Sequence, residues 1–483
     1  MLKLVFLGLF LCSFFAFADP PDWAHGWAEV ERMRKEGKLE EAVTATLELE
    51  RFAVSNGFWD EVVRAVVTRF ALGRDRAPSS WGRQLVTLKR FANEGPRQLS
   101  PAIYCHLVSF YEEFYQANPA VFHHRLEPLP DADQNDNPAE WSMLRLTAEI
   151  RSLLESALSD SSVLKKMTVA DYGHGLRCEP SYSQPTLFDW AAYRSLAWWE
   201  LAAETGVFGK NILNFDETDL VLADTAKFIG AKFRTASEFA DEVLALYQSM
   251  LSFHASDKNG APAAAADLSR LQFVWKHARP MPVPNNGGTL PVVAGAVAPV
   301  AGDDRSAFRA RYESSLNQFL SKWRSTPVSV QAAAIRGTMA IEDGEPGIAH
   351  LILSRSIAGY PDDDVEVRKC RALLSEIERP DFSLSQEGAG LLVEYRNIRE
   401  LHLRIFPVAE DQTPPHSSDR AALAEWLAKP PAKAWIAQLP PCKDFKRRDF
   451  SVKLPLLPNG RYLLAAADND GFKKAQCCVI ERQ

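Results

Sequence analysis

From Trp23 to about His277, apolar side chains recur every three or four residues, the period of helices that bury one face. In the stretch GKLEEAVTATLELERFA, Leu39, Ala42, Val43 and Leu47 share a face. In FWDEVVRAVVTRFAL, Trp59, Val62, Val63, Val66 and Phe70 do the same. The intervening Val54-Ser55-Asn56-Gly57 is a turn signal. With the preceding WAEVERMRKEG, the pair predicts a helical hairpin of tetratricopeptide type, although the full repeat signature is not met. Two more strong helices are predicted: one aligns Leu146, Ile150, Leu153, Leu154 and Ala157, the other Phe239, Val243, Leu246, Tyr247 and Met250.

The most aromatic stretch is SQPTLFDWAAYRSLAWWE, Ser183 to Glu200. It opens on a helix-start signature behind Pro185, with Thr186 as N-cap and Asp189 three residues on, placed to reach back to the cap amide. Leu187, Trp190, Ala191, Arg194, Ala197, Trp198 and Leu201 then form one stripe with an arginine in it. Large aromatics on one face of a capped helix predict core packing between helices rather than a ligand box.

The pattern breaks at residues 278–304, where Pro, Gly, Ala and Val dominate without period or charge, the composition of a linker or long loop. Helical periodicity resumes over 305–379 and reads as further tetratricopeptide-like hairpins, with Gly359-Tyr360-Pro361 marking the end of one pair. After Pro380 the period becomes two. In ELHLRIFPV, Leu401, Leu403 and Ile405 alternate with His402 and Arg404. LLVEYRNI, FSVKLPLL, GRYLLAAAD and AQCCVIE are short strand-like runs between turn residues. Residues 380–483 are therefore expected to form an immunoglobulin-like β-sandwich, with DRAALAEWLAKPPAKAWIAQLP as a partly helical insertion. Within it, Arg396-Asn397 reads as a strand end and a tight turn, because Asn tolerates left-handed backbone angles. Arg396 is expected to pair with Glu394 or with an adjacent domain. Asn459-Gly460 carries the strongest short hairpin signal. The fold class is thus α+β and multidomain: a helical domain at 19–277, a linker at 278–304, helical hairpins at 305–379 and a β-sandwich at 380–483.

The first residues change the picture of where the chain resides. MLKLVFLGLFLCSFFAFAD has one lysine, an apolar run and Ala16-Phe17-Ala18, the form of a signal peptide cleaved after residue 18. A lipoprotein anchored through Cys12 is the lesser alternative, because Leu11 stands where a small residue is favoured. No other run is long and apolar enough to span a bilayer. The mature chain is expected to be exported, periplasmic or at the cell surface. With 483 residues, 46% hydrophobic and 24% charged, it is long enough for several cores. A net charge of −7 gives no basic footprint, so nucleic acid is excluded as a partner.

Little in the sequence looks like chemistry. Besides Cys12 there are six cysteines, and none forms a Cys-x-x-Cys pair, which removes zinc-ribbon and thioredoxin-type sites. One bridge from Cys442 to Cys477 or Cys478 is compatible with an oxidising compartment, and free buried thiols fit equally well. His123-His124 precede Asp131, Asp133 and Asp136, but adjacent helical residues diverge by about 100°, and the acidic run lacks the glycine and final glutamate of a calcium loop. His174 and Cys178 are near one another in YGHGLRCEP, yet nearness in sequence does not build a nucleophile and its base. No phosphate loop, Gly-x-Ser-x-Gly elbow or His-Glu-x-x-His helix is present. No catalytic residue, metal or cofactor is assigned, and the chain reads as non-enzymatic.

Several phrases line up in order with one family. WSMLRLTAEIRSLLESALSD, QPTLFDWAAYRSLAWW, VEYRNIRELHLRIF and WIAQLPPCKDFKRRDFSVKLPLLPNGRYLLAA together resemble the N-terminal region of bacterial alpha-2-macroglobulin family proteins. The resemblance covers nearly all of the mature chain and consists of packing residues and turns, not of chemistry. It implies a helical pre-domain followed by a first macroglobulin-like sandwich, in proteins that trap proteases and in many cases capture them through a Cys-x-Glu-Gln thioester. That motif does not occur here; the terminal CCVIERQ has some of its letters but not its spacing. The expectation is the non-enzymatic front part, or a shortened relative, of an endopeptidase inhibitor without bait region or thioester. Proteases, envelope proteins or further macroglobulin-like domains would be its partners. The alternative is an exported helical-repeat scaffold that binds a protein or peptide in the cell envelope.

Overall fold

The computed structural model describes residues 22–76, 81–97, 99–125, 137–159, 161–172, 181–204, 213–214, 218–235, 237–279, 302–387 and 390–482. The chain divides into two compact units, residues 1–309 and 310–483. No helix among the described residues is long and apolar enough to cross a membrane.

The first unit is built from helices α1 (Trp23–Lys35), α2 (Leu39–Asn56), α3 (Trp59–Arg76), α4 (Trp81–Glu94), α5 (Ser100–Ala117), α6 (Met143–Leu158), α7 (Leu187–Glu204), α8 (Glu238–Phe253) and α9 (Ala261–His277). Several of these starts and stops have a local cause. The Asp22 carboxylate accepts from His25 N at 3.0 Å to begin α1, and Ser142 accepts from Arg145 N at 3.0 Å to begin α6. Gly57, at φ 73°, ends α2 in the left-handed conformation that a side chain would resist. Trp27, Val30, Ala42, Ala65 and Leu72 make the core of the first three helices. There the Trp27 indole N–H donates to the Glu61 carboxylate at 2.6 Å, a partner without which either group would be costly to bury.

Helix α10 (Gly302–Lys322) runs across the division at 309/310. Most of the 278–304 segment lies outside the described residues. At its start, Ala278–Arg279 (β2) pair in parallel with Leu213–Asn214 (β1) rather than beginning a loop, and helix begins again at Gly302.

The second unit continues with α11 (Val328–Glu342), α12 (Pro346–Ser356) and α13 (Val365–Glu378). These three pack through Val330, Ala340, Ala349, Leu353, Val367 and Cys370. Gly337 has no side chain because a Cβ there would stand 2.9 Å from the Leu353 side chain, so the glycine sets how closely α11 and α12 approach.

Seven strands follow: β3 (Asp381–Glu387), β4 (Gly390–Arg396), β5 (Glu400–Pro407), β6 (Lys433–Gln438), β7 (Arg448–Val452), β8 (Gly460–Ala467) and β9 (Gln476–Arg482). They form two antiparallel sheets, ordered β3-β4-β7 and β6-β5-β8-β9. Residues at alternate positions, among them Leu391, Val393, Leu401, Leu403, Leu464 and Ile480, point from both sheets into one core. Helix α14 (Arg420–Leu427) covers the other face of the four-stranded sheet with Leu423 and Trp426, which pack on Phe406, Leu463 and Ala465. That cover explains why β8 is buried on both faces and reads as a continuous apolar run instead of alternating.

Several sequence expectations are corrected here. The insertion contains not only helix α14 but a full strand, β6, and β3 was not foreseen at all. The strand expected over FSVKLPLL stops at Val452. Asn459-Gly460 does not turn a hairpin: β7 pairs with β4 and β8 with β5 and β9, so the dipeptide closes a crossover between the two sheets. The Tyr462 hydroxyl fixes that crossover by donating to Pro458 O at 2.9 Å.

Candidate functional site

The chemistry-bearing side chains of the second unit concentrate where α12 and α13 meet the sheets. Asn397 sits between β4 and β5 with φ 60°, and its left-handed backbone aims the side-chain amide back at the end of α13. Its Nδ2 donates to Ile377 O at 2.7 Å and to Arg379 O at 3.3 Å, satisfying carbonyls that a helix end leaves without partners. Arg396 uses the second of its two expected partners, the helical segment before the sheets, and not Glu394. Its guanidinium donates to Glu376 O at 3.3 Å and stands 3.9 Å from the Glu376 carboxylate, so it adds positive charge at the negative end of α13. Glu394 is instead held by Arg447 at 3.3 Å and by the Ser383 hydroxyl at 3.1 Å, and Arg447 also pairs with Asp381.

The loop between β6 and β7 closes the joint from the other side. Phe445, also left-handed at φ 60°, stacks on the His350 ring of α12 with centroids 4.4 Å apart. His350 Nε2 lies 2.8 Å from the Glu378 carboxylate on α13. Lys446 Nζ donates to Glu345 at 2.8 Å, just before α12. Gly347 lets the loop lie this close, since a Cβ there would be 3.2 Å from Asp444 O. Backbone donation from Lys446 and the Arg448 guanidinium hold the Asp444 carboxyl below its usual range. Tyr395 ties the same loop down by donating to Pro440 O at 2.7 Å. An open hollow of about 500 Å³ adjoins the joint, lined by Arg371, Leu374, Ser375, Glu378, Arg379 and Pro380. Its guanidinium groups are already paired, Arg371 with Asp362 and Arg379 with Glu376, so it is no preformed anion site. What the joint can do is mechanical: it fixes the direction in which the sheets leave the helices.

The aromatic helix of the first unit holds a second constellation. Thr186 and Asp189 form the reciprocal cap, Thr186 N donating to the carboxylate at 3.1 Å and Asp189 N to the Thr186 hydroxyl at 3.3 Å. Pro185 lies just outside, its carbonyl accepting from Val169 N at 3.0 Å. The remaining oxygen of Asp189 lies 2.7 Å from His254 Nε2, and His254 Nδ1 lies 2.6 Å from Asp257. A carboxylate facing each ring nitrogen favours the form of the histidine that donates from both nitrogens. Burial pushes the His254 pKa down, but the hydrogen bonds and charges of Asp189 and Asp257 outweigh it and leave it raised. The ring is buried and both of its nitrogens face carboxylates. It pins the start of α7 to the end of α8.

Trp190 and Trp198 are buried in the same unit, and Arg194 on their stripe is held by Glu112 at 2.8 Å and by Ser109. His124 follows a short helix at Pro119–His123, while Asp131, Asp133, Asp136, His174 and Cys178 lie outside the described residues. Cys442, Cys477 and Cys478 are free thiols. Consecutive strand residues point to opposite faces: Cys478 packs against the inner core and Cys477 against the α14 side, which separates the vicinal pair. His254 and Asp257 were not singled out from the sequence. Nothing local marks them, because the carboxylate that gives His254 its role is 65 residues away.

No family model, curated protein or solved structure matches the chain.

Proposed function

We propose that the chain is a non-enzymatic binding and positioning module, the front part or a shortened relative of a bacterial alpha-2-macroglobulin-like endopeptidase inhibitor, acting in the periplasm or at the cell surface. The observation that carries this reading is the helix–sheet joint. Two of the phrases on which the family resemblance rests, VEYRNI and PPCKDFKRRDF, contribute Arg396, Asn397, Phe445 and Lys446 to it. Residues spent on fixing one domain against another suit a platform that presents a sandwich in a set direction.

Two further features favour an immunoglobulin-like, macroglobulin-type sandwich for the sheets. Numbered along the chain, its seven strands are arranged 1-2-5 and 4-3-6-7. A tyrosine that donates to a backbone carbonyl a few residues upstream, as Tyr462 does to Pro458, is a hallmark of such folds. The antiparallel run α11–α12–α13 and the hairpin α2–α3 favour the tetratricopeptide-like reading of the helices. On this reading the sequence given, which has no Cys-x-Glu-Gln, acts by contact and not by covalent capture.

The alternative, an exported scaffold for an envelope protein or peptide, draws on α12. Ile348 and Leu351 lie on one face of it at 46% and 47% exposure, as in a helical array that offers a surface to a partner. Affinity capture with the full chain from a cell-envelope extract separates the two. An endopeptidase, or a polypeptide carrying further macroglobulin-like domains, among the captured proteins supports the inhibitor reading. Capture of structural envelope proteins alone overturns it in favour of the scaffold.

A further inference from the structure

We infer that the outer edge of β6 is a docking edge, which takes an extended acidic segment of a partner protein as an added strand. The inference does not depend on the inhibitor reading.

Two sheets have four edges, and the molecule treats them differently. β3 and β9 lie side by side and are fastened by side chains: Gln476 donates its amide to Phe382 O, and Gln386 donates to Glu481 O at 3.5 Å. Those edges offer no template, and the third, β7, is only five residues long and opens on the charged pair Arg448-Asp449. β6 is not fastened. Leu439 N donates to Arg399 O at 2.8 Å, and β6 stays in register with β5 from Gln438 back to Lys433. Antiparallel alternation therefore turns the amides of Ala434, Ile436 and Gln438 away from β5. Among the described residues no acceptor meets them.

An exposed edge is a liability, commonly blunted by proline, a bulge or a charge aimed inward. Within β6 there is no proline, and the outward side chains are Ala434, Ile436 at 51% exposure, and Gln438, whose amide donates to the Glu400 carboxylate at 3.1 Å. The guards sit at one end: Pro430-Pro431 precede the strand, Ala432 N donates to Ile405 O at 2.8 Å although Lys433 is the residue opposite Ile405, so the ladder bulges there, and Lys433 lies on the core-facing side of the strand. A lysine there repels a second identical edge but attracts a carboxylate. Lys453 follows Val452, which pairs with Leu391, and Leu391 and Ile405 both lie at the end of the sheets remote from α13. Neither lysine forms an ion pair among the described residues, in a chain whose net charge is −7. A strand that fits would place a carboxylate against Lys433 and a β-branched side chain against Ile436, its backbone completing the ladder.

The test uses the full chain and a short fluorescent peptide alternating valine and glutamate, with a valine–lysine peptide as control, followed by anisotropy. The glutamate peptide is expected to bind saturably and the lysine peptide not to bind. Ile436→Pro removes an outward N–H that the sheet does not use, so it should abolish binding while leaving the thermal melt nearly unchanged. Lys433→Glu should weaken the glutamate peptide by about tenfold and admit the lysine peptide. It stands alone as a test if the proline variant misfolds. Failure of the glutamate peptide to bind, equal binding of both peptides, or binding unaffected by Lys433→Glu overturns the inference. Self-association of the chain that Ile436→Pro abolishes would assign the edge to a second copy and also overturn it.

Discussion

In the interior of the helical unit, His254 Nε2 lies 2.7 Å from Asp189 Oδ1, and the two residues are only 3% and 0% exposed. One carboxylate thus caps α7 with one oxygen and anchors the end of α8 with the other. Removing either partner leaves an uncompensated charge in the core. Asp189→Asn and His254→Ala should each destabilise the unit by about 3–5 kcal/mol. Asp257→Asn should cost much less, because Asp257 is partly exposed. Urea denaturation monitored by tryptophan fluorescence measures all three, since Trp190 and Trp198 are buried in the same unit.

The pH dependence of that contact has a definite sign. The folded-state pKa of His254 is raised above its unfolded value, so the stabilisation is fully present below the unfolded value of about 6.5 and is lost as pH rises through the folded one. The difference in melting temperature between the natural chain and His254→Phe should therefore be greatest in mild acid and shrink on the alkaline side. A difference that grows with pH would refute the doubly protonated histidine.

At the joint of the second unit, Asn397 combines a left-handed backbone with two hydrogen bonds to the end of α13. Asn397→Gly keeps the backbone and loses the bonds, a cost of about 1–3 kcal/mol for carbonyls left without donors. Asn397→Ala should lose about 1 kcal/mol more, the penalty of a Cβ in the left-handed region. Chemical denaturation of the two variants side by side separates the terms.

The loop that carries Phe445 should open before the sheets do. Phe445→Ala removes the stack on His350, and Gly347→Val drives a side chain into Asp444 O. Each is expected to cost about 1–3 kcal/mol and to make the bonds after Lys443, Lys446 and Arg447 the earliest sites of tryptic cleavage. Unchanged cleavage order would show that the stack is not what holds the loop.

The thiols should be unbridged and slow to react. Burial pushes Cys370 and Cys478 up to about 11, so both should resist alkylation at neutral pH in the folded chain and react once it is unfolded. Mass spectrometry after blocking under denaturing conditions should find Cys442, Cys477 and Cys478 all modified without prior reduction.

What was legible in the sequence was whatever neighbouring residues decide among themselves. The helical repeat of Leu146, Ile150, Leu153 and Leu154, the cap made by Thr186 and Asp189, the left-handed Asn397 and the alternation of Leu401, Leu403 and Ile405 depend on spacings of a few residues, and spacing is what a sequence records. The roles of His254 and Phe445 were not legible, because their partners lie 65 residues away or on another helix.

The sequence by itself therefore determined the order of the chain, helices first and antiparallel strands last, through the change of apolar period from about 3.6 to 2 near Pro380. Tertiary structure alone decided which strands share a sheet. Asn459-Gly460 has hairpin chemistry, yet β7 joins β4 and β8 joins β5, because burying the apolar faces of both sheets against one core outweighs the local preference of a dipeptide. It also decided that β6, read in the sequence as part of a partly helical insertion, stands at the edge of the four-stranded sheet, because pairing with β5 is a contact between distant residues.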